Sequence, residues 1–375
     1  MEHNEDVPSK TNVALIIGVT GMAGLSLAEA LKSPEALGGP WKVYGAARQQ
    51  KPPWFPSSDA VDHFMPFDAL SSNDTFQKLS PISDQVTHLF WVAIQHRDTE
   101  ESNIAANAAM LRNVLEALKS PNHYSKLQHV TLQTGTKHYM GPIFDPILGA
   151  TKLTSRDLPY PNFYYRLEDV LDEYKESMSF TSSVHRSSII FGASSRSLHN
   201  MLSTLCVYAS VCRHENLPFR YPGTAYTWEH FCDATDARVL AQQHIWAAVT
   251  DKAKGQAFNC TNGDVFTWRS LWKVMCEIFG LEFVPFEEED REFDWVGMMK
   301  EKGSVWEEIV ERHGLCKTKM EEIACFEVVK TVLCLEFQHV CSVNKSREYG
   351  FLGYANTLKS VKMWVGRLRD MKIIP

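Results

Sequence analysis

Two tyrosines and a lysine in the middle of the chain have the side chains needed for proton chemistry on a carbonyl group. Tyr164 and Tyr165 lead into a predicted helix, and Lys137 lies just after a predicted strand. A lysine four residues after a tyrosine on one helix would lower the pKa of that tyrosine and make it an acid. Here the residues at that spacing are Glu168 and Asp169, so the Tyr-x-x-x-Lys arrangement is absent. Tyr164 and Lys137 could still meet from separate segments; the alternative is a core aromatic residue and a solvated loop charge.

The elements that would position these side chains begin with a glycine-rich turn near the start of the chain. The apolar run 13–17 predicts a strand buried on both faces, and residues 25–31 are a helix-competent run. Between them, Gly18 and Gly21 would permit a tight turn whose backbone N–H groups approach a pyrophosphate. Gly24 would let the helix pack against the strand. This order predicts a dinucleotide-binding βα unit, and a glycine-rich connection without a ligand is the alternative.

The second predicted strand, 41–48, ends on a basic residue that bears on the choice of cofactor. A carboxylate at this position would hold the ribose hydroxyls of NAD, whereas an arginine suits the 2′-phosphate of NADP. Arg48 therefore indicates NADPH as the cofactor; a solvated charge at a strand end is the alternative. Asp68, at the end of a short predicted strand 61–68, is placed to meet an adenine amino group; a plain loop aspartate is the alternative.

Buried strands alternate with helical segments through the first half of the chain, which predicts an α/β fold with a doubly wound, mostly parallel Rossmann sheet. Strands are expected at 86–93, 127–134 and 181–191, and a helix at 100–118. Such sheets bind ligands at the carboxyl ends of their strands. We expect a flexible tail at 1–11, an NADP-binding Rossmann domain at 12–195 and a smaller, mainly helical substrate-binding lobe at 196–375, with 234–260 returning to the Rossmann domain.

Composition excludes several function classes. The 375 residues carry a formal charge of −7, which gives no basic footprint for nucleic acid or an anionic membrane. We find no apolar run long enough for a membrane span and no apolar signal segment at the N-terminus, so a cytoplasmic location is expected. The nine cysteines form no CxxC pair, which favours free thiols and argues against a metal site.

Several longer segments carry a resemblance that reaches from about residue 12 to 375. They are GVTGMAG (18–24), GGPWKVYGAAR (38–48), LQTGTKHYMGP (132–142), NFYYRLED (162–169), NGDVFTW (262–268) and NKSREYGFLG (344–353). On these segments the chain resembles the plant progesterone 5β-reductase and iridoid synthase family of extended short-chain dehydrogenase/reductases. The separated lysine and tyrosine motifs are the feature that distinguishes this family.

The resemblance implies an NADPH-dependent reduction of the C=C bond of an α,β-unsaturated carbonyl compound. Tyr164 would hydrogen-bond the carbonyl oxygen as it becomes an enolate, and Lys137 would support that tyrosine electrostatically. The implied substrate is a small lipophilic enone or enal, and a homodimer is left open. With Gly18, Gly24 and Tyr164, the implied contacts to NADPH or NADP+ are Thr20, Gly21, Met22, Arg48, Gln49, Asp68, Ala69, Ala93, Gln133, Ile190, Ser197, Leu198 and His199.

The departures from the family pattern lie mainly around the expected substrate. The family has a second basic residue where this chain has Gln49, which softens the expected preference for NADPH. The resemblance places the substrate pocket at Ile143, Phe144, Val328 and Ser342. At Ile143 and Val328 the family has different, aromatic residues. Lys137 and Tyr164 are kept, so the chemistry is expected to be kept while the substrate stays open.

Four functions remain open at this point. Steroid 5β-reduction and the reductive cyclisation of 8-oxogeranial by an iridoid synthase share one hydride step, and the sequence does not separate them. A nucleotide-sugar epimerase or dehydratase of the same fold would need the missing Tyr-x-x-x-Lys motif. A catalytically silent NADP-binding regulator would bind the cofactor and reduce no enone.

Overall fold

Seven of the strands form one parallel sheet in this computed structural model, which describes residues 11–56, 60–119, 125–140, 160–197, 199–287 and 293–375. The strands are β1 (Asn12–Ile17), β2 (Trp41–Ala47), β3 (His63–Pro66), β4 (His88–Trp91), β5 (His129–Gly135), β6 (Thr181–Ser187), β7 (Ile189–Phe191), β8 (Phe231–Cys232), β9 (Ala234–Asp236), β10 (Gln256–Cys260) and β11 (Phe266–Thr267). The large sheet has the order β10-β6-β5-β4-β1-β2-β3, and all its neighbours are parallel. The predicted doubly wound Rossmann sheet is confirmed.

Helices cover both faces of this sheet and build the C-terminal half of the chain. Their bounds are α1 (Met22–Leu31), α2 (Ser72–Leu79), α3 (Glu100–Leu118), α4 (Phe163–Met178), α5 (Met201–Glu215), α6 (Ala225–Glu229), α7 (Ala237–Val249), α8 (Trp268–Phe279), α9 (Trp295–Lys300), α10 (Gly303–His313), α11 (Met320–Ile323), α12 (Phe326–Leu333), α13 (Asn344–Glu348) and α14 (Thr357–Asp370). Helices α1 and α7 pack on one face, and α3 and α4 pack on the other. None of the described helices is long and apolar enough to cross a membrane.

The interior strand β1 shows why the sheet is buried on both sides. Successive side chains of a strand point to opposite faces. Ala14 and Ile16 accordingly lie in the core beneath α1, whereas Leu15 and Ile17 lie in the core beneath α3 and α4. Each isoleucine or leucine buried in this way contributes roughly 1.5–3 kcal/mol. A run without polar residues is therefore what this position requires.

The C-terminal helices continue the core on the α1 side of the sheet. Phe219 and Trp272 stack with ring centroids 4.3 Å apart, and Tyr208 packs between them and Trp295. These rings join α5, α8 and α9 in the hydrophobic core that contains Ile16. Because that core is continuous, these helices pack as one body with the α1 side of the sheet.

Candidate active site

The turn between β1 and α1 has the geometry that its glycines predict. Gly18 adopts φ +100°, and a Cβ there would lie 3.0 Å from backbone atoms of Ala93. A Cβ on Gly24 would lie 2.1 Å from the carbonyl oxygen of Gly18. The turn can lie this close to the segment after β4, and α1 this close to the turn, only without these side chains. The turn is therefore a cradle for a group that backbone N–H donors bind.

A cavity of about 500 Å³ lies above this turn, at the carboxyl ends of the parallel strands. Its wall includes most of the residues that the sequence predicted for the site. These are Gly18, Thr20, Gly21, Met22, Arg48, Ala69, Ala93, Gln133, Lys137, Tyr164, Ile190, Ser197, His199 and Val328. Segments far apart in sequence thus meet around one space.

Other predicted site residues lie elsewhere. Gly24 packs beneath the turn and does not face the cavity. Asp68 is exposed, and its carboxylate accepts the backbone N–H of Leu70, so it stabilises the loop before α2. Exposed Gln49 and Ser342 are also outside the cavity wall. Leu198, Ile143 and Phe144 lie outside the described residues.

The residues around the turn fit a dinucleotide. Gln133 carries a buried side-chain oxygen, Oε1, that has no hydrogen-bond partner among the described residues, and its side chain lines the cavity. A buried acceptor of this kind is costly unless a ligand or water pairs with it. At the rim, the exposed guanidinium of Arg48 donates to Gln95 Oε1 at 2.5 Å. The site therefore offers a cationic rim, a glycine cradle and a free acceptor.

Tyr164 and Lys137 are brought together by Asn162, which caps α4. The Asn162 Oδ1 atom accepts the backbone N–H of Tyr164 at 3.0 Å, and its Nδ2 atom donates to the carbonyl of Lys137 at 3.0 Å. One side chain thus joins the start of α4 to the turn after β5. Above that turn, the hydroxyl of Tyr164 would lie 3.1 Å from a Cβ on Gly135, so the glycine leaves room for the phenol.

The partner of Lys137 is an acid that sequence analysis missed. Lys137 Nζ lies 2.6 Å from Glu100 Oε2, and Glu100 Oε1 accepts the backbone N–H of Phe163 at 2.8 Å. Glu100 opens α3 just beyond the end of β4, at the same sheet edge as Lys137. That shared edge was the signal in the sequence that could have identified it.

This arrangement keeps the phenol of Tyr164 protonated. Burial raises the pKa of Tyr164 above its ordinary value, and the nearby charge of Glu100 raises it further. Tyr164 is therefore a neutral hydrogen-bond donor, with no hydrogen bond from its hydroxyl to another described residue. Its hydroxyl is available to an oxygen atom of a bound ligand.

The remaining wall of the cavity has an apolar part and a hydrogen-bonded polar group, and Gln95, His96, Ser187 and Arg196 add further polar side chains. The apolar part comes from Met140, Cys325, Val328, Val329, Val332 and Leu335, most of them on or next to α12. The polar group consists of Thr136, Ser188 and His339, and Thr136 Oγ1 lies 2.8 Å from His339 Nε2. A ligand that enters here meets a largely lipophilic surface.

A parallel sheet, a glycine cradle and a tyrosine donor at its edge define an enzyme of the Rossmann dinucleotide-binding class. Residues 68–375 match the model of the PRISE-like Rossmann-fold domain. The chain belongs to this family, as the resemblance in its sequence predicted.

Its relatives align over almost their whole length. The (S)-8-oxocitronellyl enol synthase CYC2 of Camptotheca acuminata is 46% identical, with 97% of this chain and 93% of the relative covered. The 3-oxo-Delta(4,5)-steroid 5-beta-reductase of Arabidopsis thaliana is 45% identical, with 99% and 96% covered. Both relatives are named as enzymes, and their identities are high enough for the whole fold to be shared.

Solved structures show the same fold at much lower identity. UDP-glucose 4-epimerase of Thermotoga maritima superposes with a TM-score of 0.63 at 12% identity, over 96% of this chain and 99% of the other. Yeast methylglyoxal/isovaleraldehyde reductase Gre2, complexed with NADPH, gives 0.56 at 11% identity, over 96% and 99%. Rossmann-fold relatives of this kind bind NAD or NADP. At such low identity, the structural similarity shows only that the fold is shared.

Proposed function

We propose that this protein is an NADPH-dependent reductase that adds hydride to the β-carbon of an α,β-unsaturated carbonyl compound. The observation that carries the proposal is the position of the Tyr164 hydroxyl, which faces the cavity as a neutral donor beside the dinucleotide cradle. The names of the relatives agree with it, since a 3-oxo-Δ4,5 steroid is an α,β-unsaturated ketone. The missing Tyr-x-x-x-Lys motif disfavours an epimerase.

NADPH would be held by residues that line the cavity around the glycine turn. The glycine turn with Thr20 and Met22 would bind the pyrophosphate, and Arg48 suits a 2′-phosphate. Gln133 Oε1 offers an acceptor that needs a donor. When bound, the cofactor supplies the hydride. The protein keeps the reacting atoms away from water through the apolar wall on α12.

Tyr164 would bind the carbonyl oxygen of the substrate. Negative charge builds on this oxygen as the hydride adds to the β-carbon, so a preorganised donor stabilises the transition state more than the ground state. Because the pKa of Tyr164 is raised, the phenol donates a hydrogen bond without losing its proton to solvent. Lys137 and Glu100 hold the turn and the start of α4 in place around this donor.

The apolar wall favours a lipophilic enone or enal, and two substrate classes fit the names of the relatives. A steroid 5β-reductase yields a saturated ketone, whereas an 8-oxocitronellyl enol synthase yields an enol. Reductive cyclisation of 8-oxogeranial is therefore the second candidate function. The hydride step and the tyrosine donor are the same in both.

The proposal is tested by NADPH oxidation against a panel of small enones, progesterone and 8-oxogeranial, with binding of NADPH measured separately by fluorescence. We expect turnover of at least one member and saturation of its C=C bond. Binding of NADPH without turnover of any member would instead identify a silent NADP-binding regulator.

A further inference from the structure

A chain of hydrogen-bonded side chains runs from a buried carboxyl group to the wall of the cavity. Asp233 Oδ1 lies 2.5 Å from Ser188 Oγ, and Ser188 Oγ lies 3.3 Å from His339 Nδ1. The other ring nitrogen, His339 Nε2, lies 2.8 Å from Thr136 Oγ1. All four residues are buried, and Thr136, Ser188 and His339 line the cavity. Each member of the chain can both accept and donate a proton.

The chain ends beside the groups that would bind the substrate. Thr136 follows Gly135 and precedes Lys137 in the sequence. The Tyr164 hydroxyl lies above Gly135. The Thr136 hydroxyl is the last member of the chain before the cavity. The far end, at Asp233, is fixed by the backbone N–H of Cys341, which donates to Asp233 Oδ2 at 2.5 Å. One oxygen of the Asp233 carboxyl group therefore accepts a backbone N–H, and the other is hydrogen-bonded to Ser188.

From this geometry we propose that Asp233, Ser188, His339 and Thr136 form a proton relay that protonates the α-carbon of the reduced substrate inside the cavity. The inference rests on the proposed function and goes beyond it, because it predicts the product. A protein that protonates the α-carbon before release gives the saturated carbonyl compound, whereas one without a relay releases the enol.

The proton balance of the step closes without another redox partner. Hydride addition leaves an electron pair shared between the α-carbon and the oxygen bound by Tyr164. This pair forms a C–H bond with the hydroxyl hydrogen of Thr136, and the C=O bond is restored. Thr136 takes the Nε2 proton of His339, His339 Nδ1 takes the proton of Ser188, and Ser188 takes the carboxyl proton of Asp233. Asp233 becomes a carboxylate and regains a proton from water.

The charge states of the two ends support this direction of transfer. Burial lowers the pKa of His339 to about 4, so its ring is neutral near pH 7 and can both accept and donate. Burial raises the pKa of Asp233 to about 6, which keeps a protonated fraction near neutral pH. Besides His339, the titratable groups that face Asp233 are Cys232, Cys341 and Asp264.

The test is reduction in D2O of whichever enone in the panel the wild type consumes fastest, with the product analysed by NMR after a short reaction time. We expect the wild type to release the saturated carbonyl compound with deuterium in one configuration at the α-carbon. His339→Gln keeps polar atoms at both ends but cannot pass a proton. A positioned acid accelerates proton transfer by about 100-fold or more. Protonation of the α-carbon in the variant should therefore slow by at least that factor and occur after the enol is released. The variant should therefore give both configurations and a transient enol.

Two further variants keep the inference testable if His339→Gln folds poorly. Thr136→Val removes the last hydroxyl with little change in shape, and Asp233→Asn keeps a hydrogen bond to Ser188 without an acidic proton. Both should lose the single configuration while NADPH binding is unchanged. His214→Gln, which alters a histidine on α5 that pairs with Glu308, is the control and should behave like the wild type.

Each outcome decides a different claim. Enone reduction with mixed α-configurations in the wild type, or a single configuration in all three variants, would overturn the relay and leave the reductase proposal standing. Failure of the wild type to reduce any enone would overturn both. A structural role for His339 would change the melting temperature and not the configuration of the product.

Discussion

Lys137 and Glu100 form an ion pair with 2.6 Å between Nζ and Oε2, at the sheet edge that carries the candidate site. The second oxygen of Glu100 accepts the backbone N–H of Phe163, the residue before Tyr164. Lys137 is therefore tied to the start of α4 through a carboxylate, and its charge is paired. We therefore expect the lysine to act mainly by holding the tyrosine in position, with the phenol as a neutral donor.

Replacement of Tyr164 by phenylalanine tests this donor directly. The loss of one donor to a developing oxyanion lowers turnover by about 100- to 1,000-fold in well-studied enzymes. We expect a decrease of this size in kcat for the best enone, with NADPH affinity changed little. Tyr165→Phe is the matched control, since its hydroxyl donates to the carbonyl of His138. Equal losses in both variants would contradict the assignment.

Replacement of Glu100 by glutamine tests the electrostatic role of the carboxylate. Glu100 raises the pKa of Tyr164, so removal of its charge should lower that pKa. The wild type should keep its activity to higher alkaline pH, and Glu100→Gln should begin to lose activity at a lower pH because the phenol ionises earlier. The measurement is kcat against pH for both proteins. Glu101→Gln, exposed on the next position of α3, should follow the wild-type profile.

The local parts of the site were predictable from the sequence, whereas its partners were not. The glycine turn and Arg48 belong to one β1-α1-β2 unit, so their places at the ends of its two strands could be predicted from the local sequence. The helix predicted at 100–118 matches α3, and the strand predicted at 181–191 divides into β6 and β7. This division occurs because β7 leaves the large sheet and pairs with β9.

The missed residues reach the site only through tertiary contacts. Glu100 meets Lys137 across 37 residues of sequence, and His339 meets Thr136 across 203. No periodicity or residue spacing connects such positions. Glu100 could be placed only by the sheet edge that it shares with Lys137, and the approach of His339 depends on the packing of the C-terminal segments. The capping role of Asn162 could have been predicted from the local sequence, since asparagine is a common residue at the N-cap of a helix.

Arg48 is expected to set the preference for NADPH. Charge-assisted hydrogen bonds contribute about 1.5–3 kcal/mol, which corresponds to roughly 10- to 100-fold in affinity. Arg48→Ala should lower kcat/KM for NADPH by this factor and leave the value for NADH almost unchanged. Lys51→Ala removes a nearby exposed charge and controls for non-specific attraction of the phosphate. A parallel decrease for both cofactors in Arg48→Ala would contradict the assignment.

Gly24 should tolerate no side chain. A Cβ would lie 2.1 Å from the Gly18 carbonyl oxygen, so Gly24→Ala must shift α1 away from the turn. We expect loss of dinucleotide binding, measured by fluorescence, and a lower melting temperature. Gly366→Ala is the matched control on α14, where a Cβ meets no atom within 4 Å. It should raise the free energy of unfolding by about 0.5–1 kcal/mol, because alanine favours a helix over glycine.

Three buried histidines, on β5, β6 and α7, should make the fold sensitive to acid. Burial lowers the pKa of His129 to about 3 and of His185 to about 4, and it lowers the pKa of His244 well below its ordinary value. The unfolded chain binds protons near pH 6.5 that the folded chain excludes. The free energy of unfolding should therefore fall as the pH drops from about 6.5 towards 4, by about 3 kcal/mol for a shift like that of His185.

Urea unfolding at a series of pH values measures this loss. His185→Gln can still hydrogen-bond Gln243, and it removes one titrating group, so its free energy of unfolding should decrease less steeply below pH 6.5 than that of the wild type. His63→Gln changes a histidine that is exposed on β3 and should keep the wild-type slope. An identical slope in all three proteins would show that the buried histidines take up protons without unfolding, and that acid sensitivity arises elsewhere.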